Sequence, residues 1–355
     1  MREHGWWHVS AVTCHRREDS CGRADVACAY VCRSFRIGRH VVKALVYTHG
    51  HGVRFDEAPE PLPADGVVVD VVRAGICGTD LGAVRRGAPP LRSPVVVGHE
   101  LVGTRTDTGE AVVANPILSC RDCVPCRRGD EHLCVRRQVL GVHRDGAFAT
   151  RIAIPGQNLF PLGPAVGVTQ AVLVEPLATA LHAWRRVAPH KGARVGIIGA
   201  GAIGLCTLVA ALGNGAAEVD VADIDPLKLD HARRIGAEAT ATELGGGYHV
   251  VFDTVGGTAT RESAVTSLLP GGTAVLVGLH EPELRLQGSA VVAAERSILG
   301  SFAYRRADFA DAVAMASTLD TDWVCVLPME AGPGLLNGTR PAPPGASKIQ
   351  LSINE

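Results

Sequence analysis

Residues 195–205, Val-Gly-Ile-Ile-Gly-Ala-Gly-Ala-Ile-Gly-Leu, constrain this chain more than any other stretch, because an apolar strand, a glycine turn and a helix start follow one another directly. Within the run, Gly199-x-Gly201-x-x-Gly204 sets three glycines at fixed offsets. Gly199 permits the sharp turn out of the strand, Gly201 carries no side chain to hold a pyrophosphate away from the backbone, and Gly204 lets helix and strand pack closely. Ala202 and Ile203 open the helix, whose unpaired N–H groups and positive dipole end face the same spot.

A glycine turn alone is weak evidence, so its flanks decide. Arg194–Ile198 is strand-like, 205–212 continues as an apolar helix, and Glu218–Ala222 reads as the next strand of a βαβ unit, ending at Asp223. An acid about twenty residues beyond the glycines is placed to accept hydrogen bonds from the adenosine ribose hydroxyls. Pro226 marks Asp225 as the cap of the following helix, which leaves Asp223 for the ribose. No Arg or Lys stands between Asp223 and Lys228, so a 2′-phosphate would meet negative charge and the expected cofactor is NAD rather than NADP. The same apolar run, 195–212, could be read as a membrane span, but glycines at turn spacing and a βαβ continuation argue against that.

A chain of 355 residues can hold two ordinary domains. With a net charge of -1 there is no electrostatic reason to expect nucleic acid or an anionic membrane as partner. Close Cys-x-x-Cys spacings read first as metal ligands in a cytoplasmic protein, not as secreted disulfides. Cys120-x-x-Cys123-x-x-Cys126 followed by Cys134 places four thiolates in one loop, matching a closed tetrahedral zinc site that exposes no position to substrate. Arg121, Arg127, Arg128 and Arg136 stand ready to offset its negative charge.

Residues 1–41 differ from the rest, with Trp6, Trp7, Cys14, Cys21, Cys28 and Cys32 but no sustained period of two or 3.6. They are expected to form a poorly ordered extension. They hold no apolar stretch of a secretory signal, and a metal site from these cysteines and His15 would fit no standard zinc spacing. From residue 42, short β-branched runs at 66–72, 95–97, 111–114 and 149–154 alternate with Gly, Pro and Asp, which predicts a compact barrel-like β domain.

Three dispersed pieces remain: Cys77-Gly-Thr-Asp80, Gly98-His99-Glu100, and Glu175-Pro176 at the start of a helical stretch, 177–184. Singly, each is more often a buried cysteine or a satisfied histidine. In this order, with Gly98-His-Glu-Leu-Val-Gly103, the Cys120 to Cys134 loop, Glu175-Pro-Leu-Ala178, the glycine turn, Val251-Phe-Asp-Thr-Val-Gly256 and 271–278, they form a specific pattern. From residue 42 onward the chain resembles the zinc-dependent medium-chain dehydrogenase/reductases, the alcohol, polyol and threonine dehydrogenase superfamily.

That resemblance implies a GroES-like β-barrel catalytic domain, 42–168 and 301–355, and a Rossmann cofactor domain with a doubly wound parallel sheet, 169–300. It implies one catalytic zinc held by Cys77 and His99, with Glu100 and Glu175 competing for the remaining protein position, beside the structural zinc of the cysteine loop. Asp80 would orient the His99 ring, and Thr79 would start the proton relay. Leu81-Gly-Ala-Val84 follows where relatives often have a histidine that finishes the relay. Asp253 and Val277 fall at strand ends facing the cofactor crevice, although Asp253 would equally cap a turn. The implied reaction is hydride transfer between a small alcohol, polyol or sugar and NAD, with zinc lowering the pKa of the hydroxyl. Relatives pair as homodimers or homotetramers. The alternative is a non-catalytic or regulatory protein that keeps the dinucleotide-binding fold; it predicts a damaged donor set, whereas Cys77, His99 and Glu175 are all present. In the tail, 333–338 leaves little of the helix that relatives have there.

Overall fold

The computed structural model describes residues 41–87, 89–187 and 191–355. The expected extension and its cysteines lie outside the described residues, save Val41, which opens the first strand, Val41–Thr48.

Strand Val67–Ile76 organises the β-rich part. It pairs antiparallel with Glu100–Arg105, Arg151–Ile154 and Lys348–Ser352, and Ala111–Ala114, Leu159–Pro161 and Val324–Pro328 complete a seven-stranded sheet. Val41–Thr48 lies in a separate three-stranded sheet between Gly52–Pro59 and Val95–Val96. Residues Leu45, Val69, Val71, Ala74, Leu101, Val112, Phe148, Ile154 and Leu351 share one buried cluster. Val67–Ile76 runs past the 66–72 predicted from sequence, because neighbours on both sides satisfy its backbone groups as far as Ile76.

Six parallel strands form the second sheet, in the order Ala239–Ala241, Glu218–Ala222, Arg194–Ile198, Tyr248–Asp253, Leu268–Leu276 and Ser297–Gly300. Both faces are covered: Val195, Ile197, Val219, Val221, Val250 and Phe252 are buried on one and Ile198, Val251 and Ala274 on the other, which explains the near-continuous apolar runs. Strand order reverses between Arg194–Ile198 and Tyr248–Asp253, and ligands bind such sheets in the crevice at that point. The apolar stretch 195–212 is therefore a strand and a helix, Ala202–Gly213; no helix among the described residues is long and apolar enough to cross a membrane.

Helix Val174–Val187 packs on both Ala202–Gly213 and Arg306–Met315, burying Leu177, Ala180, Leu181 and Trp184. The tail then joins the large sheet through Val324–Pro328 and Lys348–Ser352, which are parallel. Between them 333–338 keeps a short helix, Gly332–Asn337, stopped by Gly338 at φ 78°.

Gly75 sits inside Val67–Ile76, opposite Glu100 on one side and Gln350 on the other. Glycine weakens a strand interior, so its presence needs a reason. A Cβ there would collide with Glu100 Oε2 and approach Lys348 Cε to 2.9 Å. Gly75→Ala is expected to destabilise the fold by about 2 kcal/mol, the usual cost of overpacking beside groups that cannot withdraw. An unchanged urea midpoint would show that the two charged side chains can move aside.

Candidate active site

Val67–Ile76 delivers Cys77 to the start of helix Gly78–Arg86, where the residue serves as N-cap. Cys77 Sγ accepts the Thr79 N–H at 3.4 Å and Asp80 Oδ2 accepts the Cys77 N–H at 2.9 Å, a reciprocal capping box. Locally, then, Cys-Gly-Thr-Asp is a helix start, and it sets a sulfur at the positive end of the helix dipole. Asp80 Oδ1 lies 3.2 Å from His99 Nδ1, off the line a hydrogen bond requires. A ring approached at Nδ1 has Nε2 left for coordination. Burial disfavours a charged His99, but the charges of Asp80 and Cys77 outweigh it and hold the imidazole well above its usual pKa. The pocket is thus built around positive charge.

Glu100 is 1% exposed and Lys348 4%, and they form a buried ion pair, with Lys348 Nζ 2.5 Å from Oε1 and in contact with Oε2. Cys77, His99 and Glu100 each bring one ligand atom within 4.8 Å of the others. Glu175, in the first turn of Val174–Val187, is not part of that triangle. Its carboxyl is pushed up to about 7, by burial first and by the Glu100 charge second. Acidic groups outnumber Lys348 here, and thiolate, imidazole and carboxylate together suit Zn²⁺.

The cysteine loop fits the same ion in another manner. Sulfurs around tetrahedral zinc stand about 3.8 Å apart, from Zn–S distances of about 2.3 Å. Here Cys123 Sγ lies 3.4 Å from Cys126 Sγ and 3.8 Å from Cys134 Sγ, and Cys120 Sγ lies 3.9 Å from Cys126 Sγ. The backbone N–H of Cys126 leads in pulling the Cys123 thiol down to about 6, while burial pushes Cys126 up to about 12. Four sulfurs this close ionise together only around a cation.

At the glycine turn, Gly199 has φ 101° and a Cβ on Gly204 would overlap the Gly199 carbonyl, so the chain itself requires both glycines. Gly201 is different. A Cβ there would meet no protein atom within 4 Å, so the need for glycine comes from outside, as a bound pyrophosphate would impose it. Asp223 takes the Ala200 N–H at 2.7 Å and the Asp225 N–H at 2.9 Å, and Asp225 caps its helix through Leu227 N–H at 3.0 Å. Asp253 accepts the N–H groups of Val255 and Gly256, which is the turn-capping role, and its carbonyl accepts the Val277 N–H. Ile203 is half-buried beside the turn.

Ser347 joins the two parts. Its carbonyl accepts the Ala202 N–H at 3.1 Å and its hydroxyl donates to the Ala200 carbonyl at 2.7 Å, one residue before Lys348. Neither Ser347 nor Lys348 stands out in the sequence, because Ser-Lys-Ile-Gln-Leu reads as an ordinary strand with an exposed lysine.

A family model described as zinc-binding dehydrogenase matches residues 202–318, and one described as alcohol dehydrogenase GroES-like domain matches 63–164. L-galactonate-5-dehydrogenase of Escherichia coli is 31% identical over 273 residues, covering 70% of this chain and 80% of that protein. L-threonine 3-dehydrogenase of Saccharopolyspora erythraea is 31% identical over 288 residues, 74% of this chain and 84% of that one. The chain belongs to the zinc-binding dehydrogenase family. Among solved structures, a putative zinc-binding dehydrogenase from Sinorhizobium meliloti bound to NADP superposes with a TM-score of 0.82 at 26% identity, covering 88% of this chain and all of that one. The protein is a zinc-dependent oxidoreductase of CH–OH donors that uses a nicotinamide dinucleotide. No comparison supports a non-catalytic bearer of the fold.

In this zinc-binding dehydrogenase the Glu175 helix is clasped at its far end. Asp308, on helix Arg306–Met315, bonds His182 Nδ1 at 2.8 Å and Arg185 Nη1 at 2.5 Å, and also accepts the Arg305 N–H at 2.9 Å. Burial alone would raise the Asp308 pKa, but the bonds from His182 and Arg185 hold it at about 2. A carboxylate depressed in the folded state adds stability above its unfolded pKa of about 3.9 and loses it as the pH falls through the folded value, about 2 kcal/mol in all. The gap in stability between the native protein and Asp308→Asn should therefore narrow as the pH drops from about 4 towards 2. Urea midpoints that differ equally at pH 7 and pH 3 would rule the clasp out as a charge-dependent contact.

Proposed function

We propose that the chain oxidises a small polyol or sugar-derived alcohol with NAD, that Cys77, His99 and Glu100 are the protein ligands of the catalytic zinc, and that Glu175 faces its open position. The carrying observation is the mutual approach of the Cys77, His99 and Glu100 donor atoms within 4.8 Å. Zinc in that set would polarise the substrate hydroxyl, and the nicotinamide would accept the hydride.

The remaining work falls to the chain. Lys348 offsets the charge of Glu100, so a dication held there would be opposed chiefly by Cys77 and would keep its Lewis acidity. Four thiolates from Cys120, Cys123, Cys126 and Cys134 would instead leave the structural ion inert. Thr79, tied to the Cys77 sulfur through its backbone N–H, would offer its hydroxyl as first proton acceptor. Gly199, Gly201, Ile203 and Gly204 would cradle the pyrophosphate, with Ala202 beside it but its own N–H taken by the Ser347 carbonyl; Val277 would border the nicotinamide side, and Asp223 would receive the ribose hydroxyls. The carboxylate of Asp223 and the lack of a cation before Lys228 favour NAD over NADP.

Pairing into a homodimer or homotetramer is supported by the outer edge of strand Ser297–Gly300 and by Val292, 77% exposed beside it. The seven free cysteines among the described residues suit the reducing cytoplasm.

Purified protein should carry two zinc ions per chain, and Cys77→Ser should carry one; two ions in that variant would remove the catalytic site from its assigned place. Asp223→Ala should weaken NAD by about tenfold or more, the worth of hydrogen bonds to a charged group, and NADP far less. Equal losses in fluorescence titrations would mean that the ribose is read elsewhere.

A further inference from the structure

Strands Ile117–Leu118 and Gln138–Val139 close the cysteine loop at its base, and its last stretch, 130–137, meets residues far along the chain at three places. Asp130 Oδ1 accepts Arg305 Nε at 2.9 Å and Arg305 Nη2 at 2.8 Å. His132, in the short turn Glu131–Leu133, stands edge-on to His182, with ring centroids 4.7 Å apart and planes at 69°. The Arg137 guanidinium lies 4.6 Å from the centre of the Phe302 ring, a cation–π contact. These contacts bracket one cysteine: Cys134 Sγ accepts the N–H groups of Cys120 and Arg136, and its carbonyl accepts the Arg137 N–H at 3.2 Å.

On the far side the three contacts converge on the Asp308 clasp and the connection that leads to it. Asp308 holds His182 and the Arg305 N–H, and Phe302 lies in the connection 301–305, which runs from strand Ser297–Gly300 to helix Arg306–Met315. That connection passes through Ala303 at φ 48°, a left-handed backbone that alanine adopts only where its surroundings impose it. Asp130, Arg305, Asp308, His182 and His132 thus form a closed ring of contacts joining the cysteine loop, the connection and the Glu175 helix. His132 works in that ring by its shape. It is 3% exposed, and its Nδ1 is buried with no hydrogen-bond partner, which costs free energy that the packing of the ring against His182 must outweigh.

We propose that the cysteine loop is a latch: seated by His132 on His182 and by Asp130 and Arg137 on the connection 301–305, it lets an ion held by its four cysteines order that connection and the helix that carries Glu175. This rests on the reading of the loop as a zinc site and goes beyond it by giving the ion a consequence outside the loop. Such a coupling is reciprocal, so the seat steadies the ion as the ion steadies the seat. His132 is then a positioning residue that acts through His182.

The test is amide hydrogen exchange of the full zinc-loaded chain, read by mass spectrometry for His132→Ala, His132→Phe and Cys126→Ser, with zinc counted in each. His132→Ala should speed exchange about tenfold in 174–187 and 301–315, the worth of an aromatic pair, and leave strand 67–76 as it is in the native protein. It should also give up one zinc to a chelator faster than the native protein does. His132→Phe keeps a ring and removes only the unpartnered nitrogen, so its exchange should stay native. Cys126→Ser, one donor short, should hold one zinc fewer and loosen the same two segments. Native exchange in His132→Ala, an equal rise in 67–76, or a phenylalanine variant as loose as the alanine one would overturn the latch. The two readings fail separately: native protein with no zinc on the loop removes the ion from both, whereas a loaded loop with native exchange in His132→Ala and Cys126→Ser removes the latch alone.

Discussion

The buried pair of Lys348 and Glu100 is the contact on which the site's architecture depends. The residues are 248 apart in sequence, and each is nearly sealed from water. Either charge alone would cost several kcal/mol to bury, so neither strand can take its place without the other. Pairing of Lys348–Ser352 with Val67–Ile76 sets the lysine beside Cys77 and Glu100, and Gly75 leaves the space in which the two side chains meet. The preceding residues continue the connection: Ser347 bonds the glycine turn, and the Gly345 carbonyl lies 3.0 Å from His231 Nε2 on the helix after Asp223. Within the run 345–348, three residues therefore make these contacts: Lys348 to Glu100, Ser347 to the glycine turn and Gly345 to the helix after Asp223.

The two sulfur-bearing clusters answer different demands with the same chemistry. In the cysteine loop, backbone N–H groups of Cys120 and Arg136 reach the Cys134 sulfur, and all four side chains come from one short segment. Such a cluster forms almost independently of the rest of the fold. Cys77, His99 and Glu100 come instead from two neighbouring strands and a helix start, and Lys348 from a distant strand. Their geometry is only as good as the sheet that carries them. A closed site can be local, whereas a site that must keep one position open has to be held from several directions.

What could be read from the sequence follows the same division. Strand, turn and helix at 194–213, the Asp225-Pro226 cap and the cysteine spacing are legible because each is fixed by neighbours within a few residues. The strand expected at 66–72 continues to Ile76 because its last residues pair with Glu100–Arg105 on one side and Lys348–Ser352 on the other, contacts that no local pattern announces. Asp253 had two equal readings from sequence, and its bonds to Val255 and Gly256 are those of a turn cap. Lys348 and Ser347 carry no signal of their own. A lysine in a short terminal strand looks exposed until the strand is seen inside the sheet.

These long-range contacts matter because hydride transfer tolerates little misplacement. Reacting atoms must approach to about 3–3.5 Å, and an error of about 1 Å is felt strongly in rate. In the proposed scheme ions and dinucleotide are held by different parts of this chain, so their separation would be set by whatever ties those parts together. Among the described residues, Ser347 and Lys348 tie the glycine turn to Glu100, and Asp308 ties the Glu175 helix to Arg306–Met315. One connection fixes where the cofactor lies relative to the donors, and the other fixes where the second carboxylate lies relative to them both. The catalytic geometry is thus a property of the two fastenings as much as of the motifs that supply the ligands.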